Sequence, residues 1–321
     1  MAELRYNPLQ DTWVMHAPNR QGRPHLPADW CPFCPSSGLV PADFTVLKYD
    51  NDYPVLSTTP ENIERIISDT YLNAKAYGKC EVILYTKNHN QKFYELEQNH
   101  LVELIQLWQD RYSELCKDEK IQYIHIFENK GEEVGVTIHH AHGQIYAHSW
   151  VPPKIENELI NSKLFFEEND KVLLDEITKE ELNYGKRIIT QNDSFIAYIP
   201  YFSDYPYGVF IATKKHHGSI LDFTSDDKSN LASILKDITY AFDQIFDKPF
   251  PYMMSMHQTP INTIEYDDAS DYYRFHIQFY TPLRAKDKIK WYAGSEMGAG
   301  VAANPLDVDE CASVLRKILE K

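Results

Sequence analysis

Apolar residues in the first half of the chain follow two different spacings. Residues 81–85 (EVILY) and 122–127 are apolar runs, rich in β-branched and aromatic residues, of the length of a β-strand. Between them, residues 95–117 carry apolar side chains at steps of three and four, which places those side chains on one face of a helix. These positions are Leu101, Leu104, Ile105, Trp108, Tyr112 and Leu115. A Gly-containing loop (FENKGEEVG) comes next, and the segment TIHHAHGQIYAHSW ends in another predicted strand.

The second half of the chain repeats this order of elements. PYGVFIATKKHH is predicted to be a strand that ends in His216 and His217, and an amphipathic helix follows it. We expect Thr224 or Ser225 to cap that helix, because either side chain can accept a hydrogen bond from an amide of the first turn. The strands PYMMSM and YYRFHIQFY complete the repeat, with the second in the place of HHAHGQIY.

The repeat predicts two copies of one α+β unit. We place the first copy at residues 1–185 and the second at residues 186–321. The first copy has His140 and His142 on its last strand, whereas the second has only His276 there. We therefore expect a catalytic first half, and a second half kept for architecture or for completing the pocket.

Composition excludes several classes of protein. The formal net charge of −15 repels a nucleic-acid backbone over most of the surface, although a pocket for a small anion needs only a few converging donors. Neither a signal peptide nor a run of ~18 apolar residues is found, so we expect a cytosolic protein that does not cross a membrane. Five cysteines, only two of them close together, do not form a disulfide framework.

Cys31 and Cys34 form a CxxC motif in a Pro-rich loop. Such a turn can direct two thiolates at one metal ion, and it leaves two of four tetrahedral positions to other residues. His89, after the strand EVILY, and His140 are candidates for those positions. The alternative interpretation is a redox pair or two cysteines without a role.

Three histidines lie within four residues of one another, at positions 139, 140 and 142. On an extended strand alternate side chains share a face, so His140 and His142 point the same way, Gln144 continues that face, and Gly143 allows close approach of the backbone. A neutral imidazole is a suitable nucleophile for phosphoryl-type transfer near pH 7.

Other polar residues could hold the phosphate groups of a ligand. Asn129 and Lys130 could contact phosphate oxygens, and Gln144 could donate a hydrogen bond to the group being transferred. Arg20 and Arg23 lie in a loop near the N-terminus. By themselves these two arginines are compatible with a solvated loop.

Taken together, these motifs resemble the galactose-1-phosphate uridylyltransferase branch of the histidine-triad superfamily. FENKG, followed thirteen residues after Asn129 by His142 in HxHGQ, is the most specific of them, and the resemblance covers nearly the whole chain. It implies duplicated histidine-triad-like units, mainly antiparallel sheet with helices packed on it.

The resemblance also assigns roles to individual residues. His142 would be the uridylylated nucleophile and Gln144 a contact to the phosphoryl group, while Cys31, Cys34, His89 and His140 would hold a structural zinc ion. The residues lining the uridine diphosphate site would be Arg23, Asn51, Asp52, Asn129 and Thr137. Lys290 would face the sugar phosphate, and its segment can reach the partner's site in a homodimer.

The implied reaction is an exchange of uridylyl between UDP-glucose and galactose 1-phosphate, which gives UDP-galactose and glucose 1-phosphate by a ping-pong mechanism. Two features depart from the family pattern. Ala141 replaces the usual proline, and Gln278 stands where some members have a histidine of a second metal site, which would otherwise use His257, His276 and Glu158 or Glu156. The substitution of Gln278 argues against a full second site.

Two other functions compete with transfer. A nucleotide-sugar phosphorylase or hydrolase of the same superfamily would pass the nucleotidyl group to phosphate or water, but Gly143 rather than serine before the glutamine favours a transferase. A non-catalytic zinc module that binds a nucleotide or a protein is disfavoured by the presence of both His142 and Gln144.

Overall fold

The computed structural model describes residues 2–22, 30–64, 68 and 70–321. Its strands are β1 (Glu3–Asn7), β2 (Thr12–His16), β3 (Leu47–Asp50), β4 (Asn73–Lys75), β5 (Gly78–Leu84), β6 (Tyr123–Lys130), β7 (His142–His148), β8 (Ile188–Gln191), β9 (Phe195–Tyr198), β10 (Phe210–Thr213), β11 (Tyr252–His257), β12 (His276–Tyr280), β13 (Leu283–Ala285) and β14 (Lys288–Ile289). Its helices are α1 (Gln98–Leu115), α2 (Pro153–Asn169), α3 (Leu173–Tyr184), α4 (Ser225–Ile245), α5 (Ala269–Tyr272), α6 (Gly294–Ala299) and α7 (Val308–Leu319). Across the described ranges, no helix is both long and apolar enough to cross a bilayer.

A nine-stranded sheet runs through both halves of the chain, in the order β3-β5-β7-β6-β11-β12-β10-β9-β8. All of its neighbouring strands are antiparallel, and the pairing of β6 with β11 at the centre joins the two halves. The predicted α+β class with a mainly antiparallel sheet is confirmed. The division of the chain at residue 185 remains a prediction.

Strand register repeats on the two sides of this centre. The corresponding pairs are Leu84 with His142 and Val82 with Gln144 in the first half, and Ala212 with His276 and Phe210 with Gln278 in the second. His276 and Gln278 therefore occupy the positions that His142 and Gln144 occupy in the first half.

Helices α1 and α4 pack against each other over a core that they share with the central strands. The predicted face of α1 is buried, with Trp108 fully so. Thr224 caps α4 as expected: its hydroxyl accepts a hydrogen bond from the Asp227 amide at 3.2 Å, and the Asp227 carboxylate accepts one from the Thr224 amide at 3.0 Å. This reciprocal pair satisfies two amides that would otherwise lack partners.

Several strand boundaries differ from the prediction. The predicted strand YYRFHIQFY begins only at His276, because Tyr272 is the last residue of α5. Two further differences concern β10 and β6. β10 ends at Thr213 rather than at His216 and His217, because its pairing with β9 stops there. The predicted loop FENKGEEVG begins only at Gly131, because pairing with β11 extends β6 through Lys130. Both differences depend on partner strands that are distant in sequence.

Candidate active site

Two thiols and two imidazoles converge just before β7. The ligand atoms of Cys31, Cys34, His89 and His140 all lie within 4.8 Å of one another. Cys34 Sγ is 3.4 Å from His89 Nδ1 and 3.6 Å from His140 Nδ1, and Cys31 Sγ is 3.7 Å from His140 Nδ1. Tetrahedral zinc bonds of ~2.3 Å to sulfur and ~2.0 Å to nitrogen would separate such atoms by about 3.5 Å. The cluster can therefore hold a metal ion, and its dimensions and donor types fit zinc.

A backbone carbonyl orients one of these imidazoles. His140 is fully buried, and its Nε2 lies 2.7 Å from the carbonyl oxygen of Thr86. Because a carbonyl only accepts hydrogen bonds, Nε2 must carry the proton, and the lone pair is then on Nδ1, facing the cysteines. This is the tautomer that a metal ligand requires.

The His142 ring carries its proton on the other nitrogen. Its Nδ1 donates to the carbonyl oxygen of His140 at 2.7 Å, so the lone pair of the neutral ring is on Nε2. The ring of Phe33 lies edge-on to His140 and to His142, with centroids 6.2 and 5.2 Å away. The ring of Phe33 thus lies next to both imidazoles, although His140 lies in a bend before β7 rather than on the predicted strand.

Gly143, between His142 and Gln144, packs directly on a buried tyrosine. A Cβ atom at this position would lie 2.2 Å from the Tyr85 hydroxyl oxygen and 3.2 Å from the Phe127 carbonyl oxygen. Tyr85 is fully buried and has little room to withdraw. The glycine therefore allows β7, which carries His142, to pack closely on the core.

We expect Gly143→Ala to lower the free energy of unfolding by about 1–3 kcal/mol, as overpacking of a filled core does. The double variant Tyr85→Phe, Gly143→Ala should recover part of this loss in urea denaturation, because it removes the nearest atom. Gly294→Ala is the matched control, since no atom lies within 4 Å of a Cβ there. Equal losses in the control and in Gly143→Ala would contradict this account.

A cavity of about 170 Å³ opens beside His142. Its lining residues are Arg20, Trp30, Pro32, Phe33, Leu39, Tyr49, Asn51, Asp52, Tyr53, Val82, Thr137, Ile138, His142 and Gln144. The structure thus brings four candidate ligand contacts, Arg20, Asn51, Asp52 and Thr137, to the same cavity as His142 and Gln144. The cavity combines aromatic walls with a few convergent polar groups, as nucleotide and other small-molecule sites do.

Hydrogen bonds hold the polar wall of this cavity in place. The Tyr49 hydroxyl donates to both carboxylate oxygens of Asp52, at 2.9 and 3.1 Å. Burial, together with this carboxylate, raises the pKa of Tyr49 to about 12, so the hydroxyl remains a donor at neutral pH. The Asn51 side chain, next to Asp52, is fixed by a hydrogen bond that its Oδ1 accepts from the Tyr53 amide at 2.9 Å.

Three described candidate residues, Asn129, Lys130 and Lys290, do not line this cavity. Lys130 Nζ lies 2.6 Å from Asp243 Oδ1 on α4, and Lys290 Nζ lies 2.8 Å from Glu296 Oε1. Asn129 lines a separate cavity of about 380 Å³, and Arg23 lies outside the described residues. Their roles in binding stay predictions.

The cavity wall has four aromatic residues that the sequence prediction did not include: Trp30, Phe33, Tyr49 and Tyr53. The sequence holds a signal for two of them. Phe33 lies between the two cysteines of the CxxC motif, so a metal cluster next to His142 would also fix its position. Tyr49 is two residues before Asn51, and on an extended strand it shares a face with that residue.

Comparisons with known proteins agree over nearly the whole chain. The family model for the N-terminal domain of galactose-1-phosphate uridyl transferase matches residues 1–152, and the model for its C-terminal domain matches residues 157–302. A galactose-1-phosphate uridylyltransferase of Thermotoga maritima is 35% identical, over 99% of this chain and 98% of that protein. The Saccharomyces cerevisiae protein of the same name is 29% identical, over 98% of this chain and 93% of its own length.

Solved structures share the fold of this chain over nearly its whole length. A uridylyltransferase structure matches with a TM-score of 0.89 and 28% identity, and the match covers 99% of this chain and 98% of the other. An ADP-glucose phosphorylase from Arabidopsis thaliana shares the fold, with a TM-score of 0.75, 22% identity and 99% coverage of both chains. By its two domain matches and its full-length relatives, this chain belongs to the galactose-1-phosphate uridylyltransferase family.

Proposed function

We propose that this chain transfers a uridylyl group between UDP-glucose and galactose 1-phosphate, giving UDP-galactose and glucose 1-phosphate, through a covalent adduct on His142. The observation that carries the proposal is the hydrogen bond from His142 Nδ1 to the His140 carbonyl oxygen at 2.7 Å. It places the lone pair of the imidazole on Nε2, in a side chain that lines the cavity. A nucleophile oriented in this way is what a two-step transfer requires.

In the first step Nε2 of His142 attacks the α-phosphorus of UDP-glucose. The phosphorus–nitrogen bond forms as the phosphorus–oxygen bond to glucose 1-phosphate breaks. The ring gains positive charge in this step, and the His140 carbonyl oxygen at Nδ1–H stabilises it. In the second step a phosphate oxygen of galactose 1-phosphate attacks the same phosphorus and releases His142. The first leaving group and the second nucleophile are both phosphates, already ionised at neutral pH, so positioning and charge stabilisation carry the catalysis rather than a strong general acid.

Other residues of the cavity bind and position the nucleotide. The Gln144 amide donates to an oxygen of the transferring phosphoryl group, and Arg20 offsets the charge of the diphosphate. Asn51, Asp52 and Thr137 supply donors and acceptors for the uridine. We also propose a homodimer in which Lys290 meets the sugar phosphate in the partner's site, because it does not line the cavity of its own chain.

Zinc would be held by Cys31, Cys34, His89 and His140. With four protein ligands a zinc ion would have no open coordination position, so its role would be structural. Within this chain, His140 would connect the two parts of the site, as a metal ligand through Nδ1 and as the acceptor for His142 through its carbonyl oxygen.

The product released from UDP-glucose alone tests this proposal. We expect rapid-quench measurement to give about one equivalent of glucose 1-phosphate per chain and then no more, because the adduct waits for an acceptor. Galactose 1-phosphate should then release UDP-galactose. Continuous release in water alone would instead indicate a hydrolase, and turnover to UDP with orthophosphate as the preferred acceptor would indicate a phosphorylase.

A further inference from the structure

A second group of metal-ligand side chains lies in the C-terminal half. The ligand atoms of Glu158, His257 and His276 lie within 4.8 Å of one another, and the family resemblance places a second metal ion there. Gln278 stands at the position of the fourth ligand. Whether these side chains fit a metal ion depends on where their hydrogen atoms and lone pairs point.

The carboxylate of Glu158, on α2, accepts three hydrogen bonds. Oε2 accepts from the Tyr273 hydroxyl at 2.6 Å and from His257 Nδ1 at 2.8 Å, and Oε1 accepts from Gln278 Nε2 at 3.1 Å. Burial raises the pKa of Glu158, but His257, His276 and the Tyr273 hydroxyl together outweigh burial and hold that pKa well below its usual range. The group is therefore a carboxylate whose two oxygens are both engaged by donors within the protein.

The orientation of the Gln278 amide follows from these contacts. Its Oε1 accepts from the Tyr280 hydroxyl at 2.6 Å, while its Nε2 donates to Glu158 and to His276 Nε2, the latter at 3.0 Å. Turning the amide over would place its oxygen next to the Glu158 carboxylate oxygen, with two acceptors facing each other. The side chain therefore presents an NH₂ group to the cluster, and an amide nitrogen of this kind is not a metal ligand.

The two imidazoles also have their nitrogens committed. His276 Nδ1 donates to the Arg274 carbonyl oxygen at 3.0 Å, and its Nε2 lone pair accepts from Gln278. His257 Nδ1 must carry a proton to contact the carboxylate at 2.8 Å. In the first cluster, by contrast, sulfur and nitrogen lie 3.4–3.7 Å apart, and the His140 lone pair faces inward. Hydrogen bonds hold the second cluster together, whereas the first has room for a cation between its ligand atoms.

We propose that the cluster of Glu158, His257, His276 and Gln278 is a metal-free lock, in which hydrogen bonds from Gln278 replace an ion and tie α2 to β11 and β12. The second copy has the same residue type at position 278 that the first has at position 144, in the same strand register. It therefore carries a donor where a ligand would be needed. This inference does not depend on the reaction proposed above.

Metal content tests the proposal. Protein expressed with both zinc and iron in the medium and then dialysed should contain about one metal ion per chain by inductively coupled plasma mass spectrometry. Glu158→Gln should leave that content unchanged, whereas Cys34→Ser should lower it towards zero. Gln278→His, which supplies an imidazole, should raise the content towards two ions per chain.

Gln278→Glu provides a second measurement, with an almost unchanged side-chain shape. Two carboxylates would then face each other without a donor between them, so added Zn²⁺ or Fe²⁺ should raise the melting temperature of this variant more than that of the native chain. A native content of two ions, one of them lost in Glu158→Gln, would overturn the proposal. So would folded Gln278→His and Gln278→Glu variants that gain no ion.

Discussion

The His142→Ala variant is expected to form no uridylyl adduct and to transfer at least about 10⁴-fold more slowly than the native enzyme, in line with the loss of nucleophiles in other covalent enzymes. The reason is specific to the ring. Nδ1 is committed to the His140 carbonyl oxygen, and Nε2 is the atom that would bond to phosphorus. Alanine leaves the strand intact but removes that atom. Intact-protein mass spectrometry after brief mixing with UDP-glucose, followed by addition of galactose 1-phosphate, reports the adduct and its removal.

His139→Ala is the matched control for this measurement. Its side chain is 64% exposed and lies 3.2 Å from Glu132, so it shares the residue type and the neighbourhood of His142 without lining the cavity. This variant should gain and lose one uridylyl group as the native chain does. An adduct that persists in folded His142→Ala would assign the nucleophile to another residue.

Loss of a metal ligand is expected to have the second large effect. Cys34→Ser should lower zinc affinity by at least about 100-fold, since even changes to groups that only support metal ligands cost 10–100-fold. Transfer should fall with it. Once the metal no longer holds the His140 ring, its backbone carbonyl is less firmly placed to fix the proton on Nδ1 of His142.

Competition with a coloured chelator measures this affinity, and melting curves with and without the chelator measure the stability that zinc supplies. Cys116→Ser is the control, because Cys116 is also half-buried but lies outside the cluster. It should keep the native zinc content. A Cys34→Ser variant that retains zinc and a native melting curve would show that the cluster is not the metal site.

Elements specified by nearby residues could be predicted from the sequence, and contacts made by distant residues could not. The buried face of α1 and the Thr224 cap of α4 depend on neighbours within a few positions. Lys130 shows the opposite case. Its partner Asp243 is 113 residues away, so the sequence does not show that Lys130 pairs with α4, and its phosphate contact stays a prediction.

The metal cluster lies between these cases. Its CxxC motif is local, but Cys31 and His140 are 109 residues apart, and the pairing of β5 with β7 brings His89, which follows β5, close to His140. His89 and His140 were already candidates among the chain's 13 histidines, and the family resemblance assigned them to the metal ion. The aromatic wall of the cavity was missed because the signals for Phe33 and Tyr49 have meaning only once the metal cluster and Asn51 are placed at the same cavity.

One core position indicates how far the two copies have diverged. Where the first copy has Gly143 against the Tyr85 hydroxyl, the second has Ile277, whose side chain is fully buried in the shared core. Replacing Ile277 by glycine would leave a void there, and such a void costs several kcal/mol unless the neighbours change with it. The His-Gly-Gln sequence of the first copy therefore cannot be reproduced in the second by this single substitution without a loss of stability, even though its histidine and glutamine are in register.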